Sequence, residues 1–181
     1  MKIIDKEMIP NSIITLLRVL ENAGFTGFIV GGAIRDLLLG NVPGEFDLAS
    51  NARPDDIEKI FDFTKPIGKQ FGTMLVRSGE IYCEVTTFRT EANYKDSRHP
   101  DLVEFSDSII SDLTRRDFTM NAMAYNPISN EFIDLFDGQM HLNQQVIHCV
   151  GDALERFRED TLRPFRLFRF VAQLGMNVDE S

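Results

Sequence analysis

The chain carries 181 residues and a formal net charge of −9, with 19 Lys and Arg against 28 Asp and Glu. That acidic balance argues against a protein that coats nucleic acid by general attraction, so any such contact needs a local basic patch. An apolar fraction of 43% with 15 Phe argues against a disordered chain and provides for one packed domain and the start of a second.

At the N-terminus, Lys2, Asp5, Lys6 and Glu7 mix both signs of charge and resemble neither a signal nor a transit peptide. No later apolar run is long enough to span a bilayer. In "IPNSIITLLRVLENA", residues 9 to 23, Ile13, Leu16, Leu17 and Leu20 form a helical stripe that Asn11 or Ser12 can cap and Gly24 ends. "GFIV" at 27 to 30 reads as a buried strand running into Gly31-Gly32, and "AIRDLLLG" as a helix stopped by Gly40. Glu45-Phe46-Asp47 opens a second strand, and "RPDDIEKIF" is a helix with Pro54 in its first turn. "GTMLVRSGEIYCEVTTFR" is a hairpin of two β-rich runs turning at Ser78-Gly79. The polar run "TEANYKDSRHPD" follows as a long loop. "RRDFTMNAMAYN" is predicted to begin a short helix and "EFIDLF" a further strand. From Gly151 the pattern turns wholly helical, which places a boundary near 150 and divides the chain into 1–150 and 151–181. The sequence stops at "LGMNVDES", where that helical module has only begun, so a fragment is expected. Cys83 and Cys149 lie in apolar runs without metal-ligand spacing and read as buried thiols of a cytosolic protein.

Two patterns carry chemistry. Side chains two apart on a strand point to the same face, so Glu45 and Asp47 are expected side by side with Phe46 behind them. Paired carboxylates repel unless a cation joins them or one is protonated; the alternative is a solvated strand end. Upstream, Gly31-Gly32 lets a phosphate approach the backbone, and the next helix with Arg35 supplies positive potential; a plain tight turn would look the same. Together, phosphate donors beside paired acids fit a metal-bound triphosphate. Glu84 on the hairpin can add a third carboxylate, or instead pair with Arg89 or Arg77.

"GFIVGGAIRDLLLGNVPGEFDLAS" resembles the signature of the class II tRNA nucleotidyltransferase and bacterial poly(A) polymerase family. "EVTTFRTEANYKDSRHPDLVEF", "DLTRRDFTMNAMAYN" and "ERFREDTLRPFRLFRFVAQLGM" are similar to its later motifs in the same order. The resemblance implies an α+β head of the DNA polymerase β-like nucleotidyltransferase fold, a mixed sheet packed on helices, followed by the start of an all-α neck. It implies catalytic Glu45, Asp47 and Glu84, with Mg²⁺ held by Glu45 and Asp47. Gly32, Arg35, Arg116, Asp160, Arg163, Arg166 and Arg169 would then bind the nucleotide. By the same resemblance Asp117 orients arginine side chains.

In the neck, Asp160 and Arg163 are three apart and expected on one helical face that Arg166 and Arg169 continue; the alternative is a solvated charged face. Leu162, Phe165, Phe168 and Phe170 read as its buried side. The resemblance implies that Asp160 and Arg163 read the incoming base. A carboxylate accepts from the amino group of C or A, whereas uracil offers it only a carbonyl.

The sequence departs from the family pattern twice. The acidic pair is usually Asp-x-Asp, and Glu45 reaches one methylene further. Pro164 lacks the N–H that would bond the carbonyl of Asp160, so the helix is expected to kink or to restart near 161 with Pro164 in its first turn. The implied activity is metal-dependent, template-independent addition of C and A from CTP and ATP to the 3′ end of tRNA, releasing pyrophosphate, without a membrane. The alternatives are a poly(A) polymerase, a partial CC- or A-adding enzyme, or a nucleotide-binding fragment impaired by Glu45, Pro164 and a missing body and tail.

Overall fold

The structure is a computed structural model that describes residues 4–92 and 102–179. The first helix, α1 (Asn11–Asn22), buries Ile13, Leu16, Leu17 and Leu20, the stripe expected from their spacing. That stripe lies on β1 (Gly27–Val30), where a side chain on Gly27 would stand 2.9 Å from Leu17 and Leu20. Only a residue without Cβ lets the helix sit this close.

The strand β1 is buried throughout and ends at Gly31, whose φ of 71° turns the chain into α2 (Gly32–Leu39). Next come β2 (Asp47–Ser50), α3 (Pro54–Ile60) with Pro54 in its first turn, and the edge strand β3 (Thr64–Gly68). The predicted hairpin is β4 (Thr73–Ser78) and β5 (Ile81–Thr87), paired from Thr73↔Thr86 to Ser78↔Ile81. Part of the predicted polar loop is extended: β6 (Arg89–Ala92) pairs antiparallel with β7 (Leu102–Phe105) as a separate ribbon. The rest of that loop lies outside the described residues.

The segment "RRDFTMNAMAYN" does not begin a helix. The helix α4 (Ile109–Thr114) precedes it, a 3₁₀ turn spans Thr119–Asn121, and β8 (Met123–Asn126) follows. The cause is non-local. Val150 N donates to the carbonyl of Asp117 and Thr119 N to that of His148, which holds 117–119 against a later segment. The strand β9 (Glu131–Asp134) and helix α5 (Gly138–Gln144) complete this part.

Seven strands form one mixed sheet in the order β3-β4-β5-β2-β1-β8-β9. Only β2 and β5 run parallel among these pairs, with Asp47 aligned to Glu84. The principal core joins the apolar face of α1, α2 and α3 to the sheet through Ile29, Ile34, Leu48, Ile57, Met74 and Val85. On the opposite face Phe28, Val30, Ala49, Phe88, Leu113 and Ala124 form a second cluster, and Asp47 and Glu84 border a cleft.

Beyond 150 lie α6 (Ala153–Glu159) and α7 (Leu162–Leu174), interrupted at Asp160 and Thr161. The expected restart is observed, with Pro164 in the first turn of α7. The region is not wholly helical, because β10 (Val146–Ile147) pairs in parallel with β11 (Asn177–Val178). The expected buried side of α7 is also corrected. Phe165 and Phe168 are 70% and 69% exposed and Leu162 is exposed, whereas Phe170 is buried. The restart rotates the helix so that Arg163 and Phe170 face inward.

Candidate active site

A cleft of about 1100 Å³ opens beside the central strands. Its floor is Asp47 at the start of β2 and Glu84 on β5. At one end lie Gly31, Gly32 and Arg35, together with Arg116, Asp117 and Asn121. The helix α7 adds Arg163, Arg166, Arg169, Phe170 and Gln173, with Asp160 just before it. Among the nominated residues, Asp47, Glu84, Gly32, Arg35, Arg116, Asp160, Arg163, Arg166 and Arg169 therefore meet in one cavity.

Glu45 is not among the lining residues. The strand begins only at Asp47, and Glu45 sits exposed in the segment just before it. Its charge is nonetheless felt at both neighbours. Burial raises the Asp47 carboxyl above its usual range, Arg116 pulls it back, and Glu45 adds to the rise. Burial also raises Glu84, reinforced by Asp47 and Glu45. No cluster of three or more His, Cys, Asp or Glu side chains arranged around a metal occurs among the described residues. Two neighbouring carboxylates that disfavour each other's charge still fit a hard divalent cation completed by phosphate oxygens, since Mg²⁺ is commonly held by one or two carboxylates.

Behind the acids, the thiol of Cys83 donates to the carbonyl of Phe46 at 2.9 Å, which fastens the entry to β2. Burial and Asp47 push this thiol well above its ordinary range, so it stays neutral.

The cationic wall is braced from within. Asp112 is fully buried; burial opposes its charge, but Arg116 and Arg115 outweigh this and hold the carboxyl below its ordinary range. Its oxygens take Arg115 Nη2 at 2.6 Å and Arg116 Nη2 at 2.8 Å. Arg116 Nη1 also approaches the point where a Cβ of Gly31 would be, at 3.2 Å, so the glycine admits the guanidinium as well as the turn. Arg35 donates to Asp36 and to Asn121 and stacks on Phe170 with its guanidinium carbon 5.3 Å from the ring centre.

On α7 the arginines divide. Arg163 is buried, donating through Nη1 to Glu159 at 2.6 Å and to the carbonyl of Arg156, and through Nη2 to the carbonyl of Arg115. Arg166 meets Asp117 at 2.8 Å, as expected for an acid that orients arginines. Arg169 is exposed and lies over Phe170 at 5.0 Å. Asp160 ends α6 in an extended conformation, so it does not share a helical face with Arg163. One of its carboxylate oxygens accepts from Leu162 N at 2.8 Å.

Reading the residues alone missed Arg89, Glu91 and Arg115, which also line the cleft and pair through Glu91. Arg115 was legible as the first letter of the "RRDF" pair. Glu91 lies in a run whose polarity predicts a loop, whereas strand spacing aligns it with Arg89. Ile67, Gly68, Phe71 and Thr73 carried no charge signal at all.

A mixed sheet with Asp47 and Glu84 aligned on its central strands, a glycine turn beside them and a cationic wall is the architecture of a nucleotidyltransferase-fold head. The Poly A polymerase head domain family matches residues 27–148, and the chain belongs to it. The chain is 46% identical over 165 residues to the CCA-adding enzyme of Geobacillus sp. (strain WCH70), covering 91% of this chain and 41% of that protein. It is 44% identical over 163 residues to the CCA-adding enzyme of Staphylococcus aureus (strain MRSA252), covering 90% and 40%. The fold superposes on the Bacillus stearothermophilus CCA-adding enzyme in complex with CTP with a TM-score of 0.86 and 39% identity, over 94% of this chain and 40% of that one. It also matches a tRNA nucleotidyltransferase complexed with a primer tRNA and an incoming ATP analog, with a TM-score of 0.70 and 29% identity over 90% and 46%. The chain thus spans about two-fifths of the length of these relatives. No described helix is long and apolar enough to cross a membrane.

Proposed function

We propose that this chain is the catalytic part of an enzyme that adds C and A from CTP and ATP to the 3′ end of tRNA, working in the cytoplasm. The observation that carries this reading is the single cleft in which Asp47 and Glu84 face the guanidinium groups of Arg116, Arg166 and Arg169. The relatives' names and their complexes with CTP, an ATP analog and tRNA support it. In this reading residues 1–150 form the head and 151 onward begin the neck, a division supported by the family match ending at 148.

The triphosphate lies against the Gly31-Gly32 turn, where the backbone is open, with Arg116, Arg166 and Arg169 countering its charge. The 3′ hydroxyl of the acceptor attacks the α-phosphorus, and the bond from that phosphorus to the bridging oxygen breaks. Pyrophosphate departs along the arginines, and the hydroxyl proton passes to water. Asp47 with Glu84, approached by Glu45, would hold divalent cations such as Mg²⁺, which when bound lower the charge cost of attack and departure. Asp160 offers its second oxygen to the amino group of C or A, and Arg163 stands beside it while fixing the break between α6 and α7.

A second reading, a nucleotide-binding module with weak turnover, is favoured by the position of Glu45 outside the cleft lining. One experiment separates them. The full-length protein is given Mg²⁺, labelled CTP or ATP, and tRNA lacking its terminal CCA. Successive C and A incorporation supports the enzyme. Tailing with A alone points to poly(A) synthesis. Binding without incorporation, recovered in Glu45→Asp, supports the impaired module. No incorporation by either chain removes the enzyme reading.

A further inference from the structure

The cleft extends past the acids toward β3 and β4. Arg35, Arg116, Asp117 and the arginines of α7 gather at one end, while Arg89, Glu91 and Arg115 also line the cleft. The other end is built by Ile67 and Gly68 of β3, Phe71 in the 3₁₀ turn Lys69–Phe71, and Thr73 of β4.

The order of the sheet places these two ends on opposite sides of the acids. Gly31 follows β1, whose Val30 aligns with Asp47; Asp47 aligns with Glu84; and Thr86, two residues on, aligns with Thr73, which aligns with Gly68. Thr73 and Thr86 share a hydroxyl contact of 3.1 Å, so both point to the cleft face along with Glu84. An in-line displacement at phosphorus requires the attacking oxygen to approach from the side opposite the leaving group. If pyrophosphate leaves toward the Gly31 and Arg166 end, the hydroxyl must arrive from the β3–β4 end.

Resting on the transfer reaction proposed above, we infer that Ile67, Phe71 and Thr73 form the seat of the terminal nucleoside of the acceptor RNA strand. The chemistry suits that guest. Ile67 is a large apolar side chain left 46% exposed inside a polar cleft, where it has no packing role that burial would explain. A nucleobase offers an apolar face to such a surface and is sequence-tolerant when it does so. The Thr73 hydroxyl is placed for a ribose oxygen. Arg89 donates to the carbonyl of Phe71 and also pairs with Glu91, which ties the seat to the β6–β7 ribbon. These are positioning residues: they place the acceptor and leave charge neutralisation to the opposite wall.

The test is steady-state kinetics of the full-length protein with tRNA lacking CCA and with CTP, comparing Ile67→Ser, Ile67→Leu and Thr73→Val with the unaltered chain, alongside direct CTP binding. Ile67 is exposed, so its replacement leaves the fold intact, and circular dichroism checks this. Ile67→Ser is expected to raise the acceptor KM about five- to tenfold, as the loss of about one to two buried methylene equivalents would. CTP KM and CTP binding stay unchanged, and Ile67→Leu restores the acceptor KM. A rise in CTP KM with the acceptor KM unchanged would overturn the inference, because this wall would then hold the incoming nucleotide. So would no change in either. Absence of incorporation by the unaltered chain would instead defeat the transfer reaction itself, and the seat with it.

Discussion

The two walls of the cleft are built on different principles. The sheet wall sets Asp47 and Glu84 side by side through the backbone register of β2 and β5. The helical wall depends on side-chain bonding at every step. Asp112 fastens Arg115 and Arg116, Arg163 is spent on Glu159 and two carbonyls, and Asp117 holds Arg166. A charge placed by backbone pairing tolerates change around it. A charge placed by other charges does not, because removing one partner strands the next. The sheet wall should therefore respond to substitution in chemistry alone, and the bonded charges of the helical wall in binding and stability together.

The largest effect expected is at the sheet wall. Asp47→Asn keeps shape and register but removes the charge, so CMP incorporation should fall on the order of a thousandfold, the several kcal/mol that a metal-held charge supplies. Thermal unfolding should hardly move. A comparable fall in unfolding temperature would mean that the acid is part of the fold. On the helical wall, Arg169→Ala should raise the CTP KM about ten- to a hundredfold, the worth of one charge-assisted hydrogen bond, with stability unchanged. Arg163→Ala sharpens the contrast within α7. Its guanidinium has three partners in the protein, so its removal should cost about 1–3 kcal/mol in urea unfolding. If Arg163→Ala and Arg169→Ala behave alike, the division of the ridge is wrong.

The smallest effect is expected beside the β10–β11 pair, where His141 stacks on His148 at 4.6 Å and His148 meets Asp179 at 3.2 Å. Burial, then the neighbouring His148, holds the His141 imidazole below its ordinary value of 6.5. The folded state thus binds this proton less readily than the unfolded chain. Its contribution to stability is complete above about pH 6.5 and declines as pH falls below that value. His141→Gln should flatten the dependence of the urea midpoint on pH between about 7 and 5. Identical slopes in both chains would remove this group from the account.

The same contrast explains what the sequence made legible. The strand β1, the glycine turn, α2 and the hairpin were readable because period-two and helical apolar patterns are local and strong, and the restart at Pro164 follows from a missing N–H. The position of Glu45 was not readable, since the first residue of β2 is set by its pairing with Val30 and Glu84 rather than by the E-x-D letters. Nor was the inward turn of Arg163. Spacing assumes one continuous helix, and the break at Asp160 changes which residues share a face. The path through Asp117 and Phe118 depends on carbonyls and N–H groups more than twenty residues away, which no local pattern records. Uncharged lining residues such as Ile67 and Thr73 acquire meaning only from where the sheet order puts them.

The most direct measurement is a crystal of the protein grown with CTP and Mn²⁺, with the anomalous signal locating the metal. The account predicts metal density at Asp47 and Glu84, with the phosphates running toward Arg116 and Arg166. Nucleotide bound with its triphosphate on the Ile67 and Thr73 side, or metal remote from Asp47, would contradict it.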